Sequence, residues 1–368
     1  MQKNFEYKML PKKREFILNL LNNNYSDKTI ENYKRDLFIF ELFLMDKQIS
    51  FNNIDKQLII EYKGFLKEGL HHYLIDEFEK TGFNTLNDDE IALIPRQIKK
   101  SLSRSSKNRP NAKDGLSPNS INRMLSSLRS YVTFLIDIDV QVPLPASAIK
   151  MVKIIKKESQ IADFDEIVKL IEFPEHYEKI KNIKYRNRAI LEVLFSTGMR
   201  ISELVNLNRD QVDTTNMNSK GKNVLNIGSK IYILGKGKKQ RFVYLTNRAM
   251  YFLARYLEVR KDDYPALFIP YKGLRKNSKD VNKVRISVNY VQSIIKKYRL
   301  LLNIVVPTTP HSLRHAFATY LAEQGASPVA IQKLLGHESL QTTTRYVHSS
   351  DKFAQNTHKK FHPLKKVK

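Results

Sequence analysis

Apolar residues recur at the helical period through the first half of the chain and give way to β-rich runs in one stretch of the second. Ile30, Tyr33, Leu37, Phe40 and Leu44 predict a helix, with Ser26 placed to cap it. Ile121, Leu125, Leu128, Val132 and Leu135 predict another, opened by Ser117 and Pro118. Between them SLSRSSKNRPNAKDG predicts a loop, within an apparent insertion over about 70–114. VQVPLPASA, residues 140–148, predicts a linker start, and a new helical pattern begins near Asp163. The boundary is therefore expected between 146 and 161, dividing a domain at 1–150 from a second at 151–350, with a tail at 351–368. In the second half RNRAILEVLF predicts a buried helix, and STG breaks it before Met199, Arg200 and the short helix ISELVNL. KIYILGKGKKQRFVYLT carries two β-rich runs about a Gly-Lys-rich turn, a hairpin signal. Helices are expected to resume after about Asn289. The predicted fold class is mainly α, with a small antiparallel β-sheet in the C-terminal domain.

Charge then narrows the partners. Lys and Arg number 63 against 37 Asp and Glu, a formal net charge of +26 over 368 residues. Such an excess opposes compaction and points to a polyanion, with nucleic acid first and an anionic membrane surface second. Residues 96–113 hold Arg96, Lys99, Lys100, Arg104, Lys107, Arg109 and Lys113 with no acid, which reads either as a solvated loop or as a phosphate contact. No apolar run approaches the roughly 20 residues that cross a bilayer. MQKNFEYKMLPKKREF lacks the apolar stretch of a secretory signal. With no cysteine, disulfides, thiolate zinc sites and Cys nucleophiles are excluded together. An intracellular protein is expected, cytoplasmic and nucleoid-associated, with no membrane partner.

The candidate chemistry lies in four places. HSLRHAFATYLAEQG predicts a helix closed by Gly325, with His311, Arg314 and His315 on one stripe and Leu313, Phe317, Tyr320 and Leu321 opposite. The polar trio is thus expected to point away from the core. Two His at i and i+4 can bind zinc, but Ser312 stands where the metalloprotease pattern needs Glu. An anion site fits better, since Arg offers a planar fork to phosphate oxygens and His can move protons. In TGMRISEL, Arg200 meets a helix start where free N–H groups favour an anion, and Glu203 is placed to orient it; the alternative is a surface ion pair worth little. Lys236, between glycines at the hairpin tip, is either a deliverable general acid or, with Lys238 and Lys239, a solubilised turn. Finally SPVAIQKLLGHESLQTTTRYVH predicts a helix from Ser327 and Pro328 to Gly336, then His337 in a turn and Tyr346 on or near a last helix. A helix-turn-helix DNA reader competes for that stretch.

Arg200, Lys236, the run His311-x-x-Arg314-His315, Leu-Gly-His337 and Arg-Tyr346, in that order, resemble the tyrosine recombinase (phage integrase) family. The likeness is close over about 163–350, with 32 positions from Arg314 to Tyr346 and nine from His337 to Tyr346. It extends to YSDKTIENYKRDLFIF and LSPNSINRMLSSLRSYVTFL, which look like the family's helical core-binding (SAM-like) domain. The resemblance implies a two-domain C-shaped DNA clamp. It implies Arg200 and Arg314 as the arginine pair, Lys236 as the acid, His311 and His337 as the site histidines and Tyr346 as nucleophile. Glu203 and His315 look like supporting positions. Lys28, Arg104, Lys107, Arg109, Lys238, Lys239 and Arg241 are expected among the DNA contacts. The implied reaction passes through a 3′-phosphotyrosyl intermediate on double-stranded DNA, with no cofactor, no ATP and no obligatory metal. The implied assembly is a homotetramer on two sites, or one with a related recombinase as hetero-partner, and tail 351–368 is expected to dock on a neighbour. Dimer resolution of the Xer type and mobile-element integration are not separated at this point, and the lack of a clear extra N-terminal arm-binding domain leans towards the Xer-like kind. A type IB topoisomerase and a non-catalytic helix-turn-helix protein are the rival functions.

Overall fold

The computed structural model describes residues 8–81, 86, 88–96, 98, 115–155, 160–219, 222–234, 240–273 and 280–336. The chain divides into two compact units, Met1–Lys157 and Glu158–Lys368. Among the described residues no helix is long and apolar enough to cross a membrane.

The first unit is helical, built from α1 (Lys13–Asn22), α2 (Asp27–Lys47), α3 (Lys56–Glu68), α4 (His71–Thr81), α5 (Asp88–Leu93) and α6 (Pro118–Asp137). The two helices anticipated from periodicity are α2 and α6. The Ser26 hydroxyl accepts from the Thr29 N–H at 3.2 Å, and the Ser117 hydroxyl from the Ser120 N–H at 3.3 Å. Each satisfies one of the orphan donors of a first helical turn. The described part of the 70–114 insertion contributes α4 and α5, whereas most of its basic run lies outside the described residues. Phe38, Phe40, Phe43, Tyr62 and Leu125 fill the core, and a fully buried Lys13–Glu41 ion pair at 2.6 Å ties α1 to α2.

The second unit begins with α7 (Phe164–Tyr177), whose Asp163 N–H donates to Glu166 at 3.2 Å. Then come α8 (Lys181–Thr197) and α9 (Ile201–Asn206). A three-stranded antiparallel sheet follows, β1 (Val212–Ser219), β2 (Lys222–Leu234) and β3 (Gln240–Tyr244), in the order β1-β2-β3. The expected hairpin is β2–β3, with Ile231 opposite Val243 and Ile233 opposite Arg241. Ile231, Ile233 and Val243 turn inward, while Phe242 and Tyr244 lie on the exposed face. Helices α10 (Asn247–Glu258), α11 (Val288–Leu301), α12 (Pro310–Glu323) and α13 (Pro328–Leu335) complete the described part. Their core centres on α8, where Ala189, Ile190, Leu191 and Val193 are fully buried.

Two expectations need correction. Helices do not wait until Asn289 to return, because α10 follows the hairpin directly, capped by Thr246. Its Ala249, Phe252, Leu253, Tyr256 and Leu257 bury one face at helical spacing. The sheet also has a third strand, β1, whose VDTTNMNS carries too few β-formers to announce itself.

Candidate active site

The turn between α8 and α9 comes first. Gly198 ends α8 in the left-handed region at φ +60°, and a Cβ there would lie 2.3 Å from the Phe317 ring of α12. Only glycine meets both demands. Thr197 steadies the turn, its hydroxyl donating to the Val193 carbonyl at 2.7 Å and accepting from the Met199 N–H at 3.2 Å. Arg200 then stands as N-cap of α9, and its N–H donates to Glu203 at 2.7 Å.

Helix α12 supplies the second set. Thr309 caps it, Pro310 occupies its first turn, and His311, Arg314 and His315 follow. Arg314 is the residue that departs from the expected stripe. It is buried, 4% exposed, rather than turned away from the packing. Its guanidinium donates to the Gly198 carbonyl and to the Leu335 carbonyl, both at 2.7 Å. Those acceptors are a turn carbonyl and one of the orphan carbonyls at the end of α13, so the cation fixes the α8–α9 turn, α12 and α13 together. The His311 and His315 rings meet edge-on at 5.5 Å.

Glu203 is the acid of the group. Its side chain is 6% exposed, against 37% for Arg200 and 13% for Arg241. It accepts from Arg200 Nη1 at 3.1 Å and from Arg241 Nη1 and Nη2 at 2.9 Å each. Burial alone would raise its pKa, but the hydrogen bonds from Arg241 and Arg200 outweigh burial and hold the carboxyl below its ordinary value. Arg200 Nη2 also reaches the Gly336 carbonyl at 3.4 Å. The crowding around the His311 ring is the first cause of a lowered pKa, followed by the Arg314 and Arg200 charges. The repulsion from two guanidiniums supports the same direction. A neutral imidazole beside two arginines can accept a proton. A cleft of about 1030 Å³ opens next to Arg200 and Glu203, lined also by Gln211, Lys230 and Tyr232.

The structure thus brings Arg200, Glu203, His311, Arg314 and His315 into one region of the second unit. Lys236, Lys238, Lys239, His337, Tyr346, Arg104, Lys107, Arg109 and the tail 351–368 lie outside the described residues. Lys28 is exposed in the first turn of α2. Arg241, expected among the DNA contacts, turns inward from β3 and grips Glu203 with both terminal nitrogens. The signal was present in the period of two, since Arg241 shares the inward parity of Val243 and Leu245. Among the described residues no group of three His, Asp or Glu side chains is placed to hold a metal.

Comparison with known proteins supplies the family. The phage integrase family model matches residues 160–352. Tyrosine recombinase XerD of Staphylococcus epidermidis is 30% identical over 345 residues, covering 92% of this chain and 93% of that protein. XerD of Staphylococcus aureus strain N315 is also 30% identical with the same coverage. Among solved structures, XerH site-specific recombinase bound to palindromic difH substrate resembles the fold at a TM-score of 0.61 and 17% identity, over 98% of this chain and 91% of that one. The Tn1549 transposon integrase with transposon right-end DNA does so at 0.58 and 16%, over 94% and 97%. By the family match over more than half its length, and by the close relatives that run nearly end to end with it, this chain belongs to the phage integrase family of tyrosine recombinases, the enzymes that break and rejoin DNA.

Proposed function

We propose that the chain is a site-specific recombinase of the Xer type that cleaves double-stranded DNA through Tyr346. The observation that carries the reading is the meeting of Arg200, His311 and Arg314, from two elements distant in sequence, with an open cleft next to Arg200. In-line displacement at a phosphodiester builds charge on the non-bridging oxygens. Two fixed guanidiniums stabilise that charge more than the ground state. A phenol, with a reference pKa near 10, needs a proton acceptor and a positive field to attack. His311 is the acceptor and the arginines supply the field. Lys236 protonates the leaving 5′ oxygen, and His337 completes the phosphate contacts. The 3′-phosphotyrosyl bond conserves the energy for rejoining, so neither ATP nor an obligatory metal enters the reaction.

The first unit serves as a second DNA-binding domain, the tail 351–368 docks on a neighbouring subunit, and four subunits act on two sites. The XerD relatives, 30% identical over 92% of the chain, favour dimer resolution in the cytoplasm, the compartment of the nucleoid. The likeness of fold to a transposon integrase keeps a mobile-element role as the second reading.

The test is a nicked suicide duplex carrying the sequence that the wild-type chain captures covalently from a randomised pool. Tyr346→Phe is expected to bind that duplex about as tightly as wild type and to form no covalent complex, since only the phenol oxygen is removed. Normal trapping by the variant contradicts the assignment. Trapping is also expected to survive excess EDTA; loss with chelator and recovery with a divalent ion would overturn the metal-free mechanism.

A further inference from the structure

We propose that Arg241 is a positioning residue for strand cleavage, holding Glu203 so that this carboxylate orients Arg200 without neutralising it. The inference rests on the reading just given for Arg200. A lone Glu203–Arg200 pair would work against that reading. A buried carboxylate with one cationic partner takes the charge the phosphate needs, and the two compete for the same N–H groups. Arg241 changes the balance, because it offers Glu203 both terminal nitrogens at 2.9 Å while Arg200 gives one side-chain contact at 3.1 Å. The trio keeps a formal charge of one positive unit. The exposed member is Arg200, at 37%, while Arg241 and Glu203 are 13% and 6% exposed.

Arg241 has a second contact that reaches the site from the other side. Gly336 ends α13 at φ +64°, and a Cβ on it would lie 2.7–2.8 Å from Nη1, Cζ and Nε of Arg241. The glycine backbone is thus seated directly on the guanidinium, and its carbonyl lies 3.4 Å from Arg200 Nη2. Strand β3 is therefore tied through one side chain to the first turn of α9 and to the residue preceding His337. Direct contact of Arg241 with DNA is the competing use, and its inward parity on β3 argues against it.

The experiment compares Arg241→Met, Arg241→Lys and the double variant Arg241→Met/Glu203→Gln on the suicide duplex captured by wild type. Arg241→Met is expected to slow covalent trapping on the order of 10- to 100-fold. Its half-site affinity and the salt dependence of that affinity should be unchanged. Arg241→Lys, which restores charge without the fork, should fall between. The double variant should regain most of the lost rate, because the unbalanced carboxylate is the cause of the loss. The Arg241→Met deficit should also shrink as pH falls and Glu203 takes up a proton, which a packing role would not produce. Trapping by Arg241→Met at the wild-type rate overturns the proposal. So does a loss that the double variant does not relieve, or a salt dependence shallower by about one phosphate contact. If wild type itself traps no DNA, the reading of the site fails first, and the two failures are distinguishable.

Discussion

Arg314 shows how much a single side chain carries here. Helical periodicity puts it on a stripe with His311 and His315 and predicts a solvent-facing trio. The side chain is long enough to turn back under its own helix, and two carbonyls without helical partners lie within its reach. Burying a guanidinium is costly unless its donors find acceptors, and the Gly198 and Leu335 carbonyls take one from each terminal nitrogen. No sequence pattern reveals that pairing, because the acceptors are main-chain atoms from two distant turns. His311 was legible as a candidate, and its surroundings now give it a direction. Crowding and two guanidiniums lower its pKa, so the deprotonated, proton-accepting form persists below the usual histidine value near 6.5. The acid limb of the cleavage rate is therefore expected below pH 6.5 in single-turnover assays across a pH series. A limb at or above 6.5 would show that His311 is not the group that must lose its proton.

At the scale of elements, the caps were the readable part. Ser26, Ser117 and Ser327 each open a helix with the hydroxyl bonding that their sequence context implies. The β2–β3 hairpin was legible from its two apolar runs. Helix α10 carries the same kind of spacing, but the hairpin signal takes in the residues that lead into it. Strand β1 was not legible, since its polar residues hold their place by pairing with β2. The α8–α9 turn ties the site to the fold, and Gly198 is the test of that tie. Gly198→Ala adds a methyl against Phe317 at positive φ, and is expected to destabilise the second unit by about 2–4 kcal/mol. It should also slow trapping, since the Gly198 carbonyl anchors Arg314. Denaturant unfolding of the full chain measures the first effect. An unchanged transition would mean that α12 yields freely.

For the whole molecule, charge and order of residues were the informative properties. A net charge of +26 implied a polyanion before any site was visible. The ordered Arg, Lys, His and Tyr residues then gave the family, although no one of them was specific alone. The two units have separate cores, so a fragment from Glu158 onward is expected to fold. Its log-affinity for DNA against log-salt should have a shallower slope than that of the full chain, because fewer phosphates are neutralised. Equal slopes would remove the first unit from the DNA contact.

The central claim is that Tyr346 joins itself to a 3′ phosphate, and mapping the trapped complex tests it most directly. After nuclease and protease digestion of the covalent adduct, mass spectrometry should find a nucleotide on the peptide that contains Tyr346. The released strand should carry a free 5′ hydroxyl that a kinase can label without prior phosphatase. A nucleotide on any other residue, or a linkage to the 5′ phosphate with a free 3′ hydroxyl, would contradict the mechanism.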